Sequence, residues 1–194
     1  MRIIAGEFKG RRIDAPKGSD TRPTLDRVKE SLFGIIQFEL YGRTVLDLFA
    51  GSGSLGIEAM SRGARLVVFN DASSECARLI RQNLEKLHAS SAFEVFARDG
   101  LDLLTMLERR QAQFDIVFLD PPYASGLAQH ALDKLFSSSL LSDGAIVVVE
   151  HDADNAAACP SNARLRTRKR YGTVLISIFE KEMPQNECIA ARKL

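Results

Sequence analysis

Two spacings of apolar residues alternate along this chain. Short runs of mostly apolar residues at 45–49, 66–69, 93–97, 114–119 and 145–149 have the pattern of strands buried on both faces. Between them, 55–60, 77–87, 101–107 and 127–136 carry apolar residues three and four apart; in the second of these Leu79, Ile80, Leu84 and Leu87 share one side. Strand and helix alternate with short connections, which predicts an α/β fold: a mostly parallel sheet with helices on both faces. The two ends depart from this rhythm. Residues 2–5 and 9–13 are strand-like pieces around Gly6 and Gly10, the pattern of a hairpin. A turn-rich, charged connector over 16–23 leads to a helix with Thr24 as its cap and Leu25, Val28, Leu32, Ile35 and Ile36 at helical spacing. Residues 165–171 and 173–180 read as an antiparallel pair turning at Gly172. The expected organisation is a basic N-terminal hairpin extension over 1–20, one α/β domain over 21–181 and a flexible tail over 182–194.

Composition narrows the class only a little. With 194 residues, 45% hydrophobic and 26% charged, the chain suits one soluble domain, and a net charge of +1 announces no partner. The charge is uneven, however. Arg2, Lys9, Arg11, Arg12, Lys17, Arg22, Arg27 and Lys29 dominate the start, and Arg164, Arg166, Arg168, Lys169 and Arg170 follow one another without an acid. Each patch is either a solvated face or a contact for a polyanion. Three scattered cysteines without a CxxC pair point to neither zinc nor a disulfide framework, and reduced thiols in the cytoplasm are the simplest account. No signal peptide and no apolar run of membrane-spanning length is visible.

Candidate chemistry starts at Asp47-Leu48-Phe49-Ala50-Gly51-Ser52-Gly53-Ser54-Leu55-Gly56, where the first strand gives way to a helix. Parallel sheets bind ligands at the carboxyl ends of their strands. The glycines satisfy GxGxxG, and Asp71 follows about twenty residues on, so a dinucleotide site is one reading. Asp47 opposes it, because a carboxylate before the loop repels a pyrophosphate and attracts an ammonium. The chain also leaves little room for a second cofactor half. S-adenosylmethionine fits better, with its amino-acid end, sulfonium and ribose and no phosphate. Asp71 then stands near the ribose and Asp99 near the adenine amine, while the glycines permit close backbone approach.

The fourth strand ends in Asp120-Pro121-Pro122-Tyr123, which the usual strand order sets across the cleft from the glycine loop. The Asp120 carboxylate and the Pro121 carbonyl offer two acceptors at a separation stiffened by proline, matched to a planar NH2 group. Tyr123 can stack on the ring bearing that amine. An exocyclic amine is a poor nucleophile because its lone pair is delocalised. Two acceptors on its protons restore electron density, so catalysis by positioning and electrostatics needs no metal. His88, His130 and His151 read as structural or surface residues.

The Asp-Pro-Pro-Tyr and glycine-loop motifs together resemble class I methyltransferases acting on amino nitrogens of bases. The N-terminal blocks RIIAGEFKGRRI and TRPTLDRVKESLF, with Tyr171-Gly172-Thr173 near the end, resemble the RsmD family, and the resemblance covers nearly all of residues 1–181. It implies a Rossmann-like sheet of seven strands, the last antiparallel, after an N-terminal hairpin. It implies methylation of a guanine N2 amine in bacterial 16S ribosomal RNA, in a small-subunit particle, by a monomer taken as the default. Asp47, Gly51 and Gly53 would shape the methionine side of the pocket, with Phe49, Ala50, Ser52, Ala72 and Gly100 alongside. Asp71 would hold ribose, Asp99 the adenine amine, and Asp120, Pro121 and Tyr123 the target base, with Asp120 bordering the cofactor too. Arg22 and Thr24 would close one side, and Arg2, Lys9, Arg11 and Arg12 would grip RNA. One departure is Asn70-Asp71, where the family carries glutamate, one methylene longer than Asp71. Three alternatives stay open: an adenine-N6 methyltransferase, a nicotinamide-dependent oxidoreductase, and a non-catalytic RNA-binding protein on the same scaffold.

Overall fold

The computed structural model describes residues 1–16, 23–122 and 126–182, with side chains of the first helix from Arg27 onward. Five helices, α1 (Pro23–Ile35), α2 (Ser54–Ser61), α3 (Ser74–Leu87), α4 (Gly100–Arg109) and α5 (Leu127–Ser137), surround seven strands: β1 (Thr44–Asp47), β2 (Leu66–Asp71), β3 (Ala92–Ala97), β4 (Phe114–Leu119), β5 (Leu141–Asp152), β6 (Ala163–Tyr171) and β7 (Val174–Lys181). They form one sheet in the order β3-β2-β1-β4-β5-β7-β6. The first five strands run parallel, and β7 lies antiparallel between β5 and β6.

Strand register explains the two cores. Val45 is level with Val67 and Ile116, and Ile116 with Ile146. These residues pack on one face with Val28, Leu32 and Phe33 of α1, Ile57 and Met60 of α2, and Ile80 and Leu84 of α3. Their chain neighbours Leu46, Val68, Val117 and Val147 face the other way, onto Leu103, Leu104 and Leu107 of α4 and Leu132, Leu135 and Phe136 of α5. The period-two alternation of a strand thus divides each apolar run between two helical layers.

Several boundaries differ from expectation. Helix α1 begins at Pro23, so Thr24 lies inside its first turn rather than capping it; proline suits that first position because its missing N–H has no partner there anyway. Strand β5 runs from Leu141 to Asp152, well beyond 145–149, because β7 pairs with it as far as Asp152. His151 therefore sits within the strand, buried, accepting the Ala157 amide at Nδ1 and bonded to Ser177 through Nε2. Burial first, then the Arg168 charge, lowers its pKa, in keeping with a structural imidazole.

The N-terminal hairpin reduces to one bridge, Arg2 with Arg12. The amides of Ile3, Gly10 and Ile13 bond across the hairpin to the Arg11, Ile3 and Met1 carbonyls, but those of Ile4 and Ala5 have a different partner. Ile4 and Ala5 donate to the two oxygens of Glu58 at 2.8 and 3.0 Å. Glu58 is fully buried on α2 and also meets Arg62 at 2.9 Å and Lys29 at 3.5 Å. Gly6 presses against the same helix: a Cβ there would lie 1.8 Å from the Ser61 carbonyl oxygen. Asn83 of α3 adds a second clamp, accepting the Asp14 amide and donating to the Asp14 and Ser52 carbonyls. Replacing Glu58 with alanine strips two amides and two cations of a buried acceptor. The expected loss is about 3–5 kcal/mol of stability in urea unfolding, with faster proteolysis of the first sixteen residues.

Candidate active site

The carboxyl ends of β1, β2 and β4 open into a cleft of about 530 Å3. On one side, the chain turns sharply after Asp47. Gly51 and Gly53 have φ of 53° and 81°, left-handed values that glycine adopts at least cost. Gly53 then starts α2 from beneath the loop and is absent from the cleft wall. Gly56 serves packing, since a Cβ on it would come within 2.3 Å of the Phe69 ring. The loop is pinned by neighbouring backbone: Gly51 donates to Asp71 at 2.9 Å and Ala50 to the Asn70 carbonyl at 2.8 Å.

Asp47 is the unusual group. It is 1% exposed; Oδ2 accepts the Gly56 amide at 2.9 Å, and among the described residues Oδ1 has no hydrogen-bond partner. Both oxygens belong to a residue lining the cleft. Burial pushes its pKa from 3.8 to about 7, with the Asp71 charge adding to the rise and the Gly56 bond opposing it. Across the cleft stands Asp120. Its side chain is open to the cleft, but the surrounding walls crowd it. That desolvation, then the Glu150 and Asp47 charges, raises its pKa well above the ordinary aspartate value. Glu150 comes from β5. Leu119 is level with Val149, so Asp120, just past the end of β4, and Glu150, within β5, follow side by side on adjacent strands.

The cleft collects most of the candidate residues: Asp47, Phe49, Ala50, Gly51, Ser52, Asp71, Ala72, Asp99, Gly100, Asp120 and Pro121 all line it. Asp71 is already engaged, accepting from Gly51 through one oxygen and from Ser73 through the other. One oxygen of Asp99 caps α4 by accepting from Leu101 and Asp102. Asn70 faces inward instead, fully buried, bonding the Leu48 carbonyl and both the carbonyl and the amide of Arg98. Arg22 and Tyr123 lie outside the described residues, as does the Thr24 side chain.

The wall also holds residues that the sequence reading did not assign to the site, among them Met1, Pro16, Leu127 and Glu150. Met1 accepts a hydrogen bond from Ser52 at its sulfur, 3.3 Å away. The basic residues also divide. Arg2, Lys9 and Arg12 are exposed, but the Arg11 guanidinium donates to the Leu87 and Lys86 carbonyls at the end of α3. On β6, Arg164 and Arg166 pair with Glu180 and Glu39, whereas Arg168 and Arg170, nearer the cleft end of the sheet, donate to uncharged groups.

A sheet of this order, five strands parallel and a reversed seventh inserted before the sixth, is the class I methyltransferase form of the Rossmann-like fold, and the cleft occupies the ligand-binding edge of such a sheet. Residues 1–180 match the family described as Conserved hypothetical protein 95, and the chain belongs to that family. It is 38% identical to Ribosomal RNA small subunit methyltransferase D of Haemophilus influenzae over 181 residues, 93% of each chain. It is 35% identical to the protein of the same name from Escherichia coli K12 over 186 residues, 94% of this chain and 90% of that one. The solved structure of yhhF from Escherichia coli superposes with a TM-score of 0.82 at 31% identity, covering 95% of this chain and 99% of that one.

The Asp47 pKa has a consequence for the protein alone. Between about 4 and about 7 the folded state holds a proton that the unfolded chain has released, so this group makes stability fall as pH rises through that window. Asp47→Asn keeps an acceptor for Gly56 and removes the charge. Its thermal midpoint should exceed that of the unsubstituted protein at pH 8 and match it near pH 4.

Proposed function

We propose that this protein methylates the exocyclic N2 amine of a guanine in small-subunit ribosomal RNA, using S-adenosylmethionine. The observation that carries this reading is the meeting of Asp47, Asp120 and Glu150 in one cleft beside the glycine loop. Burial, then the Glu150 and Asp47 charges, raises the cost of ionising Asp120, and a cationic ligand relieves it. The unpartnered Asp47 Oδ1 gives an ammonium group an acceptor, and the positive φ values at Gly51 and Gly53 let a ligand approach the backbone. The residues therefore fit S-adenosylmethionine. Asp47 and the 49–53 loop would hold its amino-acid end, Asp71 its ribose and Asp99 its adenine amine. When bound, it supplies an electrophilic methyl carbon on a sulfonium, which leaves as a neutral thioether.

The chain's own groups act on the amine. Asp120 accepts one N2 proton and the Pro121 carbonyl the other, turning the nitrogen lone pair out of conjugation and toward the methyl. Once nitrogen carries four substituents, Asp120 receives its proton and the neutral methylamine remains. Tyr123 stacks on the base, which must leave its own stack at a cost of a few kcal/mol. Phosphate contacts by Arg2, Lys9 and Arg12, and by Lys169 and Arg170 of β6, offset that cost. The relatives named Ribosomal RNA small subunit methyltransferase D support the choice of RNA.

The test is methyl transfer from labelled S-adenosylmethionine to small ribosomal subunits lacking native methylation, followed by nucleoside digestion. Label in N2-methylguanosine is expected. Label in N6-methyladenosine keeps the Asp-Pro-Pro-Tyr chemistry and rejects the base; no label despite cofactor binding favours the non-catalytic alternative. Asp120→Ala should lower kcat by about 10^2-fold or more with the cofactor still bound in calorimetry. Lys9→Glu with Arg12→Glu should weaken RNA binding and flatten its salt dependence by about one unit of slope per lost phosphate contact, leaving cofactor affinity intact.

A further inference from the structure

A second cavity, of about 280 Å3, adjoins the cleft and shares Pro121, Pro122 and Glu150 with it. Its far wall is the 155–158 segment, and three side chains hold that segment rigid. His151 accepts the Ala157 amide, Arg168 donates to the Ala157 carbonyl, and Gln129 both accepts the Ala158 amide and donates to its carbonyl. The cavity is thus preformed, and its one acidic group at the junction with the cleft is Glu150, beside Asp120.

We infer that Glu150 reads the target base by accepting the N1–H of guanine while Asp120 and the Pro121 carbonyl hold the neighbouring N2 amine. This rests on the guanine-N2 reading above. The chemistry is specific. Guanine presents N1–H and N2–H2 as adjacent donors on its Watson–Crick edge, and two carboxylates side by side on neighbouring strands, Asp120 past the end of β4 and Glu150 within β5, form the matching row of acceptors. Adenine presents a bare N1 lone pair at the same place, which a carboxylate repels. Binding sites built to hydrogen-bond a donor reject analogues lacking it far more strongly than apolar pockets reject a missing methylene. The N1 proton stays on the base throughout. Its hydrogen bond to Glu150 shifts electron density into the ring and toward N2, so Glu150 touches the substrate without exchanging a proton.

The experiment compares two RNAs in small-subunit particles, one with the mapped target guanosine and one with 2-aminopurine riboside there. The analogue keeps the 2-amino group but carries an N1 lone pair in place of N1–H. The unsubstituted enzyme should prefer guanosine by about 10^2-fold or more in kcat/KM. Glu150→Gln, which can donate its amide to that lone pair, should narrow the preference at least about tenfold. The ratio is internal, so general damage to the fold or to cofactor binding cancels, and a thermal melt checks that the variant folds. An unchanged ratio in Glu150→Gln overturns the inference while leaving the guanine reading in place. Methylation of a nucleoside other than guanosine by the unsubstituted enzyme overturns both.

Discussion

Everything at the cleft depends on an uncompensated carboxylate. Asp47 closes β1 beneath the glycine loop, nine residues before the amide that satisfies one of its oxygens, and the other oxygen waits in a wall of protein. An isolated charge in such surroundings is expensive, and the group answers by holding its proton up to about pH 7. That expense stands at the wall of the cleft, where among the described residues the second oxygen has no partner. The same bond to Gly56 fixes α2 against β1, so the site's electrostatics and the helix position are one arrangement.

The N-terminal segment extends this logic across the chain. Its Ile4 and Ala5 amides go to Glu58, a residue more than fifty positions away, and Met1 and Pro16 reach the rim of the cleft. A segment held by an acid in the core of α2 moves with that helix. The basic N-terminal segment and the glycine-loop helix α2 are therefore joined through one carboxylate and its two cations, Lys29 and Arg62.

Much of this was legible in the sequence, and the parts that were not have a common cause. The alternating apolar runs fixed strand count and helix layers, because burial on two faces leaves a mark on every residue of a short strand. Asp47, Asp99 and Asp120 stood out as acids at the ends of such runs. Glu150 follows the run 145–149 in the same way but was not singled out, because its place beside Asp120 comes from the pairing that sets Leu119 level with Val149. Asn70 looked like a departure in ribose contact, yet its amide ties the backbone near Leu48 and Arg98 together. Arg11 read as one more basic residue of the N-terminal patch, and its guanidinium also caps α3. In each case the deciding partner was a backbone group brought close only by the fold. Identity of side chains foretells charge and apolarity; it does not foretell which carbonyl will be near.

The strand order also sets a timetable. Among the described residues β7 is the last strand to be made, yet it lies inside the sheet, with β5 on one side and β6 on the other. Until residue 181 has left the ribosome, β6 has no neighbour to pair with, and the long edge of β5 presents open hydrogen-bonding groups of the kind that invites aggregation. The parallel half of the domain can be assembled as it is synthesised, but the sheet closes only at the end. Premature termination near Gly172 would therefore leave more than a missing edge: it would release the whole of β6, with its row of arginines, into solution.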